Sequence, residues 1–326
     1  MQRETNRPAR LAKASILSAA AALAMPLWAA NAFPQSPIVL VVGFGAGGST
    51  DVCNRALAVD VSRQLGQPLV VENRPGAGSS LSVTYTARQK PDGYTIAALS
   101  TGSLLNQVLT PSVKYDVTRD LTQIAMVAQY QVGVLVKADS PYQSMAELIE
   151  ASKTAKQPLA YGTAGLGTPM HLASERLTQL AGTEWVHVPY KSGPENITAL
   201  LRGDVDFMVQ TAEWVPYVRN GSMRLLAAYT QERIKGFESA PTVRELGYDV
   251  VAPSFMGISG PAGMDTAVVQ TLQEAFRNAV NAKEFVSCSD QFGLRPDFKD
   301  AAAFSAHVQD TLTTWTPLIK QLAPQN

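Results

Sequence analysis

Pro37-Ile-Val-Leu-Val-Val-Gly-Phe-Gly-Ala-Gly-Gly-Ser-Thr-Asp51 combines the signals of a β-strand, a glycine-rich loop and a helix start. The apolar run at 37–42 predicts a buried strand that leads into the loop. A helix is expected from about Asp51, because apolar side chains then recur at i+4 spacing until a glycine ends the pattern. That face consists of Cys53, Leu57, Val61 and Leu65, and the terminating glycine is Gly66.

The same order of signals returns about 120 residues later. Leu159–Tyr161 predicts a short strand, and a second glycine-rich loop follows at Gly162–Gly167. Thr168 then stands as an N-cap before Pro169, a favoured residue at the first helical position, and Gly182 closes the helix. Two such units predict two lobes, each of which offers a helix N-terminus to a ligand.

The rest of the chain alternates short strands with amphipathic helices, which predicts an α/β fold with parallel strands. Further strands are expected near 69–72, 94–99, 185–188, 205–209, 225–229 and 255–259, and further helices near 144–152, 194–203, 266–282 and 301–320. The size of the chain agrees with two lobes.

The first 32 residues predict a signal peptide. Four basic residues precede an apolar run at 14–30, which ends in the small-x-small cleavage pattern Ala30-Asn31-Ala32. Removing these 32 of the 326 residues leaves 294, and the net charge changes from 0 to −3 because three net positive charges are lost. We therefore expect Sec export to the periplasm, a soluble mature chain that begins near Phe33, and no nucleic-acid partner.

The two cysteines of the chain, Cys53 and Cys288, both belong to the exported part. An oxidising compartment permits a bridge between them, but two cysteines do not make a disulfide framework. Each also lies in a helical apolar pattern, where a buried thiol behaves as a small hydrophobic group. We favour two buried free thiols over a bridge.

The loop Gly43-Phe-Gly-Ala-Gly-Gly48 also satisfies the dinucleotide-binding pattern G-x-G-x-x-G, and Glu72 ends the next strand at a suitable distance. A dinucleotide-dependent oxidoreductase is therefore the alternative function. The export signal argues against it. So do three residues, 49–51, that stand between the glycines and the expected helix.

The same two loops suit a carboxylate, because exposed backbone N–H groups and the positive end of a helix attract any anion. Neither loop contains Lys or Arg, so we expect a backbone clamp, with Lys191 solvated. His171 follows the second loop, where its ring could donate to a ligand oxygen or bond within the loop. His187 is expected to be structural, and His307 to lie on a solvated helix face.

Catalytic signatures are absent from the sequence: there is no G-x-S-x-G, no H-E-x-x-H and no C-x-x-C. We therefore expect a protein that is not an enzyme and uses no cofactor and no metal.

The mature chain resembles the substrate-binding component of tripartite tricarboxylate transporters, the Bug (Bordetella uptake gene) family, from about Pro37 to Lys320. The order and spacing of many short motifs carry the resemblance. They are Phe44-x-x-Gly-Gly-x-x-Asp51, Gly66-Gln-Pro68, Val70-Val-Glu-Asn-Arg-Pro-Gly-Ala-Gly78, Pro91-Asp-Gly-Tyr94, His187-Val-Pro-Tyr-Lys191, Gly203-Asp-Val-Asp206, Pro241-Thr-Val-Arg-Glu-Leu-Gly247 and Gly260-Pro-Ala-Gly263.

This resemblance implies a two-lobe periplasmic-binding-protein type II fold, the Venus flytrap, in which lobe 1 is discontinuous. Lobe 1 would comprise 33–136 and 253–326, and lobe 2 would comprise 137–252, with crossings near 137 and 252 that act as a hinge. Known members of the family bind di- and tricarboxylates, acidic amino acids, nicotinate-type acids and aromatic acids. A monomer that serves membrane permease subunits or a sensor domain is expected.

The resemblance also implies which residues bind the ligand carboxylate, through backbone amides and bridging waters of the two loops. The candidates are Phe44, Gly45, Ala46, Gly47, Gly48, Asp51, Thr163, Ala164, Gly165, Gly167, Thr168, His171, Gln210 and Phe255.

Three departures from the family pattern affect this site. Gly43 replaces a usual proline, which predicts a less rigid first loop. Val209-Gln210 stands where Phe-Asp is common, and Ser254 stands where Trp or Tyr often precedes the returning strand. The last two changes are expected near the pocket, so the ligand of a relative does not transfer directly.

Overall fold

A computed structural model describes residues 33–252 and 254–322. The predicted signal peptide at 1–32 lies outside the described residues. In the described ranges, no helix has both the length and the apolar character that a bilayer span requires.

Lobe 1 is built on a six-stranded mixed sheet. Its strands are β1 (Ile38–Val42), β2 (Leu69–Asn73), β3 (Thr95–Ser100), β4 (Leu121–Gln129), β10 (Phe255–Pro261) and β11 (Arg295–Lys299). They lie in the order β11-β4-β10-β3-β1-β2. β1 pairs in parallel with β2 and β3, whereas β10 runs antiparallel between β3 and β4. The predicted parallel units thus form one half of a mixed sheet.

Lobe 2 is built on a five-stranded sheet in the order β7-β6-β8-β5-β9. Its strands are β5 (Gly133–Lys137), β6 (Leu159–Thr163), β7 (Trp185–Pro189), β8 (Phe207–Gln210) and β9 (Met223–Ala228). β6 pairs in parallel with β7 and β8, and β5 runs antiparallel to both β8 and β9. Each lobe therefore combines parallel βα units with an antiparallel return strand.

Eleven α-helices occur among the described residues, and several begin and end as their sequence dictates. Ser144 and Thr168 accept N-cap hydrogen bonds, and Gly66 and Gly182 adopt left-handed conformations at helix ends. The helices are α1 (Ser49–Leu65), α2 (Ser80–Thr86), α3 (Thr101–Leu109), α4 (Val117–Asp120), α5 (Met145–Thr154), α6 (Pro169–Ala181), α7 (Gly193–Arg202), α8 (Val215–Arg219), α9 (Thr266–Ala279), α10 (Lys283–Phe292) and α11 (Ala301–Leu322).

Helix α1 begins earlier than expected. Gly48 is its N-cap residue and Ser49 its first residue, so no segment separates the glycines from the helix. The expectation that residues 49–51 form an insertion is wrong. The predicted start at Asp51 was based on the spacing of apolar residues. The first turn of α1 is polar, so that spacing could not reveal it.

The chain passes from the first sheet to the second between Gln129 and Gly133, not at residue 137, because β5 pairs within lobe 2. The return occurs between Ala252 and Phe255. The two crossings lie side by side, since the N–H of Tyr130 donates to the carbonyl of Ser254 at 2.6 Å. Adjacent crossings of this kind are the geometry of a hinge.

Helix α11 adds a third link between the lobes. Trp315 and Ile319, near its C-terminal end, are buried in one hydrophobic cluster with Leu172 and Leu177 of α6. Earlier in the helix, Phe304 packs at 5.2 Å, ring to ring, against Phe255 of the first sheet. The helix assigned to lobe 1 from its position in the chain therefore also covers part of lobe 2.

Cys53 and Cys288 form a disulfide that joins α1 to α10, with their Cα atoms 5.6 Å apart. Our preference for two free thiols was therefore wrong. Both residues are buried, as the helical patterns predicted, but those patterns do not reveal that the two helices pack on each other. The bridge closes a sequence separation of 235 residues within lobe 1.

We expect the double variant Cys53→Ala/Cys288→Ala to lose about 2–4 kcal/mol of unfolding free energy, because the bridge restricts the unfolded chain. Urea titrations of both proteins measure the loss. As a check on the bridge itself, the purified protein should show no free thiol when it is denatured without reductant. Two titratable thiols under those conditions would contradict the bridge.

Candidate functional site

A small cavity of about 40 Å³ lies between the lobes. The glycine loops of both lobes reach it, and no Lys, Arg or His occurs among the described residues that line it. The lining comprises Phe44, Gly45, Gly48, Thr50, Ser100, Gly102, Tyr130, Ala164, Thr168, Pro169, Met170, Ser192, Gly193, Gln210, Thr211, Glu213 and Ser254. A ligand here would meet hydroxyl groups, backbone N–H groups, a few apolar faces and one carboxylate.

The first glycine loop is shaped by its own side chains. Asp51 accepts from the N–H of Gly47 at 2.9 Å and from Arg55 and Asn73, also at 2.9 Å each. Burial acts to raise the pKa of Asp51, but these hydrogen bonds together hold it below the ordinary value. Asp51 therefore braces the loop and does not line the cavity.

Gly43 is the position where the family commonly has proline. A Cβ at this position would lie 2.0 Å from the hydroxyl oxygen of Ser79, so the backbone passes too close for a side chain. The glycine thus allows the first loop to pack on Ser79, which itself has a left-handed backbone conformation with φ of 75°. Close packing replaces the rigidity that a proline ring would give.

The first two residues of α1 make polar contacts, Ser49 with lobe 2 and Thr50 with the crossing. The backbone N–H of Ser49 donates to Oε1 of Glu213 at 3.0 Å, and the Ser49 hydroxyl donates to the same oxygen at 2.9 Å. The hydroxyl oxygens of Thr50 and Tyr130 lie 2.7 Å apart at the crossing. Burial raises the pKa of Tyr130, and the charge of Glu213 adds to that shift. Tyr130 is therefore a neutral phenol in the cavity wall.

The second glycine loop is held by hydroxyl groups. The Thr163 hydroxyl oxygen accepts from the N–H of Gly165 at 3.2 Å, and the Thr168 hydroxyl donates to the carbonyl of Gly165 at 2.8 Å. Gly165 has φ of 135° and Gly167 has φ of 73°, conformations that favour glycine. This folding leaves Ala164, Thr168 and Met170 facing the cavity, at the N-terminal end of α6.

His171 bonds within the loop, which decides between the two roles left open for it. Its Nδ1 accepts from the N–H of Gly167 at 3.3 Å, and its ring lies 4.1 Å from that of His187, centroid to centroid. Nε2 of His187 lies 2.7 Å from the Thr163 hydroxyl oxygen. Burial lowers the pKa of His171 to about 4, and burial together with the charge of His171 lowers that of His187 to about 3. Both rings are neutral supports of the second loop.

The residues proposed from the sequence separate into three groups. Those that line the cavity are Phe44, Gly45, Gly48, Ala164, Thr168 and Gln210. Those in the loops or beside them that do not line it are Ala46, Gly47, Asp51, Thr163, Gly165, Gly167 and His171. Phe255 belongs to neither group, because it faces a second cavity of about 510 Å³, which Tyr130 and Ser254 of the crossings also line.

His307 also faces this second cavity and is half-buried against the ring of Phe255, at 5.6 Å between centroids. Its expected position on a solvated face is therefore wrong. Lys191 is exposed, as expected.

Several lining residues carried no recognisable signal. Ser100 is the last residue of β3 and Gly102 lies in the first turn of α3, a junction to which the sequence analysis gave no role in binding. Tyr130 and Ser254 stand at the crossings, and Glu213 lies in a short 3₁₀ turn after β8. A carboxylate three residues after a buried strand end is common in any α/β protein, so only the packing of the two lobes reveals the position of Glu213.

The dinucleotide alternative gains no support from Glu72. Its carboxylate pairs with the guanidinium of Arg74 at 2.7 Å, and Glu72 is not among the residues that line the cavity. The acid that would hold a ribose is therefore neutralised by its neighbour two residues on.

The buried histidine pair predicts a loss of stability in acid. Both rings stay neutral in the folded protein down to about pH 4, whereas an unfolded histidine binds a proton below about pH 6.5. The unfolded state is therefore favoured as pH falls from about 6.5 towards 4. We expect the unfolding free energy to drop by about 2 kcal/mol for each ring, or on the order of 4 kcal/mol for the pair, from pH 7 to pH 5, measured by urea titration.

The double variant His171→Gln/His187→Gln should lose most of that pH dependence. His307→Gln is the control. It removes a half-buried ring from lobe 1, and this variant should retain most of the pH dependence. Equal pH slopes in all three proteins would exclude the pair as the cause.

Curated relatives match almost the whole chain. The chain is 38% identical over 316 residues to the UPF0065 protein in the gbd 5′ region of Cupriavidus necator, with 96% of each sequence covered. It is 30% identical over 318 residues to protein BugT of Bordetella pertussis, in an alignment that covers 95% of this chain and 96% of BugT.

Solved structures share the fold. Periplasmic binding protein BugD superposes with a TM-score of 0.84 at 27% identity, over 89% of this chain and 98% of BugD. MatC of Rhodopseudomonas palustris, solved with bound malate, gives a TM-score of 0.82 at 25% identity over 88% of this chain and 100% of MatC. A second R. palustris protein, solved with adipate, superposes with a TM-score of 0.84 at 26% identity, over 89% of this chain and 98% of that protein.

The two-lobe periplasmic-binding-protein fold implied by the sequence is therefore confirmed. The family model described as "Tripartite tricarboxylate transporter family receptor" matches residues 53–323. The chain belongs to this family of tripartite tricarboxylate transporter receptors, the family that includes the Bug proteins.

Proposed function

We propose that this protein is a periplasmic receptor that binds a small carboxylate in the cavity between its lobes and passes it to a membrane permease or a sensor domain. The cavity carries the proposal. Two glycine loops and two helix N-termini converge on it, and no cationic side chain occurs among the described residues that line it. MatC and its adipate-bound relative, which share this fold, have carboxylates as their ligands. The protein acts as a monomer and catalyses no reaction.

The carboxylate binds to the second loop through backbone N–H groups. The first-turn N–H groups of a helix lack partners within the helix, and Met170, in the first turn of α6, lines the cavity. The positive end of the α6 dipole adds to this attraction. Charge-assisted hydrogen bonds are worth about 1.5–3 kcal/mol each, so a few of them replace an arginine.

The lobes close over the ligand about the adjacent crossings at 130–132 and 252–254. The crossings are tied to each other by the hydrogen bond from the N–H of Tyr130 to the carbonyl of Ser254. The junction is therefore where dihedral angles can change while both sheets stay intact. The terminal part of α11, which packs on α6, moves with the closure.

A panel of small carboxylic acids should raise the melting temperature, whereas NAD should not. A ligand at 100 times its Kd stabilises by about 2.7 kcal/mol. The matched control is the methyl ester of each acid that shifts the melting point, since it keeps the shape and removes the charge. Stabilisation by NAD, or by esters as well as acids, would contradict the proposal.

Gly165→Ala should weaken the binding of any acid found in this panel about tenfold or more. Its φ of 135° is strained for alanine, at about 1–3 kcal/mol, and relaxation would turn the loop away from the cavity. Gly182→Ala is the matched control, because it is also left-handed but lies at the far end of α6. Lys191→Ala should leave the affinity unchanged. Calorimetric titration of the three variants decides between a backbone clamp and a lysine ion pair.

Export removes residues 1–32 of the proposed precursor, so the intact mass of periplasmic protein should correspond to a chain that begins near Phe33. The motivation is the Ala30-Asn31-Ala32 pattern. A mass that includes the leader would contradict the cleavage site.

A further inference from the structure

Glu213 stands where the first glycine loop would bind an anion. Its Oε1 accepts hydrogen bonds from both the backbone N–H and the hydroxyl of Ser49, the first residue of α1. Its Oε2 accepts from the side-chain amide of Gln210 and, at 3.0 Å, from the hydroxyl of Thr211. All these partners are donors, which is the hydrogen-bonding pattern of a charged carboxylate. The protein thus supplies its own anion to this helix N-terminus.

The surrounding backbone fits this carboxylate closely. A Cβ on Gly193 would lie 2.6 Å from its Cδ and Oε1 atoms, and a Cβ on Gly48 would lie 3.3 Å from Oε1. A glycine from each lobe therefore makes room for the group. Only 7% of Glu213 is exposed, so the carboxylate is part of the cavity wall and does not reach solvent.

The charge of Glu213 has no ionic partner in the cavity. The lining described above contains no Lys or Arg, and the ion pairs of the described residues do not include Glu213. Hydrogen bonds and the α1 dipole stabilise the carboxylate without cancelling its field across the cavity. A second anionic group entering this space would be repelled at low effective dielectric, where interactions between charges are strong.

We propose that Glu213 is a specificity-determining residue that restricts this receptor to monocarboxylates. The inference rests on the proposed function: the single ligand carboxylate binds at the second loop, and the far end of the ligand, uncharged or cationic, faces Glu213. A dicarboxylate of the same length would bring its second charge against Glu213 and Ser49. Gln210 contributes by holding Glu213, since its amide oxygen is in turn bonded by Asn196 at 2.9 Å.

The test compares dicarboxylates with their monoamides, which have nearly the same shape and one charge less. Succinate and succinamate, glutarate and glutaramate, and adipate and adipamate are titrated calorimetrically into the mature protein. For the pair of best-fitting length, the monoamide should bind at least tenfold more tightly than the dicarboxylate. Glu213→Gln removes the charge and keeps the size, so that preference should shrink at least tenfold or reverse.

Two further variants complete the design. Glu184→Gln removes the same charge from an exposed position of lobe 2 and should keep the preference of the unaltered protein. Glu213→Asp keeps the charge, so this variant should also keep the preference for the monoamide. If Glu213→Gln does not fold, the affinities of the unaltered protein for each dicarboxylate and its monoamide still test the inference.

Tighter binding of dicarboxylates by the unaltered protein would overturn the inference, as would an unchanged ratio in folded Glu213→Gln. Both of those results would leave the carboxylate receptor intact, because acids would still bind. If neither acids nor monoamides bind at all, the proposed function itself fails.

Discussion

The hydrogen bonds from Ser49 to Glu213 connect the two lobes at the point where a charged group is hardest to bury. A carboxylate removed from water needs several donors, and here Ser49 provides two while Gln210 and Thr211 provide the rest. Three of these four donors come from side chains, but the backbone N–H of Ser49 is available only because α1 begins there. The position of the first helix turn therefore fixes how the lobes meet.

A second contact between the lobes involves left-handed residues on the lobe 1 side of the cleft. Ala77 and Ser79 both have positive φ, and Gly78 between them approaches the carbonyl of Leu166 so closely that an added Cβ would lie 3.0 Å away. Strained backbone of this kind persists where surrounding contacts determine it. Asn106 supplies such contacts, since its amide donates to the carbonyl of Ala77 and to the Ser80 hydroxyl. The segment 76–79 is thus held in shape by α3 and presented to the second glycine loop.

Local sequence signals predicted the strand–loop–helix units well and long-range packing poorly. Thr168, Pro169 and Gly182 bound α6 as capping rules require, because those rules depend on neighbours in the chain. The antiparallel strands β4 and β5 were missed, because short apolar runs such as Ile124–Ala128 and Val134–Val136 do not by themselves distinguish a strand from a helix. The disulfide and the role of Glu213 depend on partners 235 and 164 residues away, respectively, which no local pattern specifies.

The glycine pattern at 43–48 is therefore incomplete evidence of a ligand, because the same loop could serve a dinucleotide or a carboxylate. Its N–H groups and helix dipole favour any anion, so the elements that face the loop decide which one enters. In a dinucleotide site an acid at the next strand end holds the ribose, but here Glu72 is paired with Arg74. What faces the loop instead is lobe 2, with a second N-terminus at α6 and the carboxylate of Glu213. In the function that we propose, the ligand carboxylate therefore binds at the α6 end, because Glu213 already accepts hydrogen bonds from Ser49 at the α1 end.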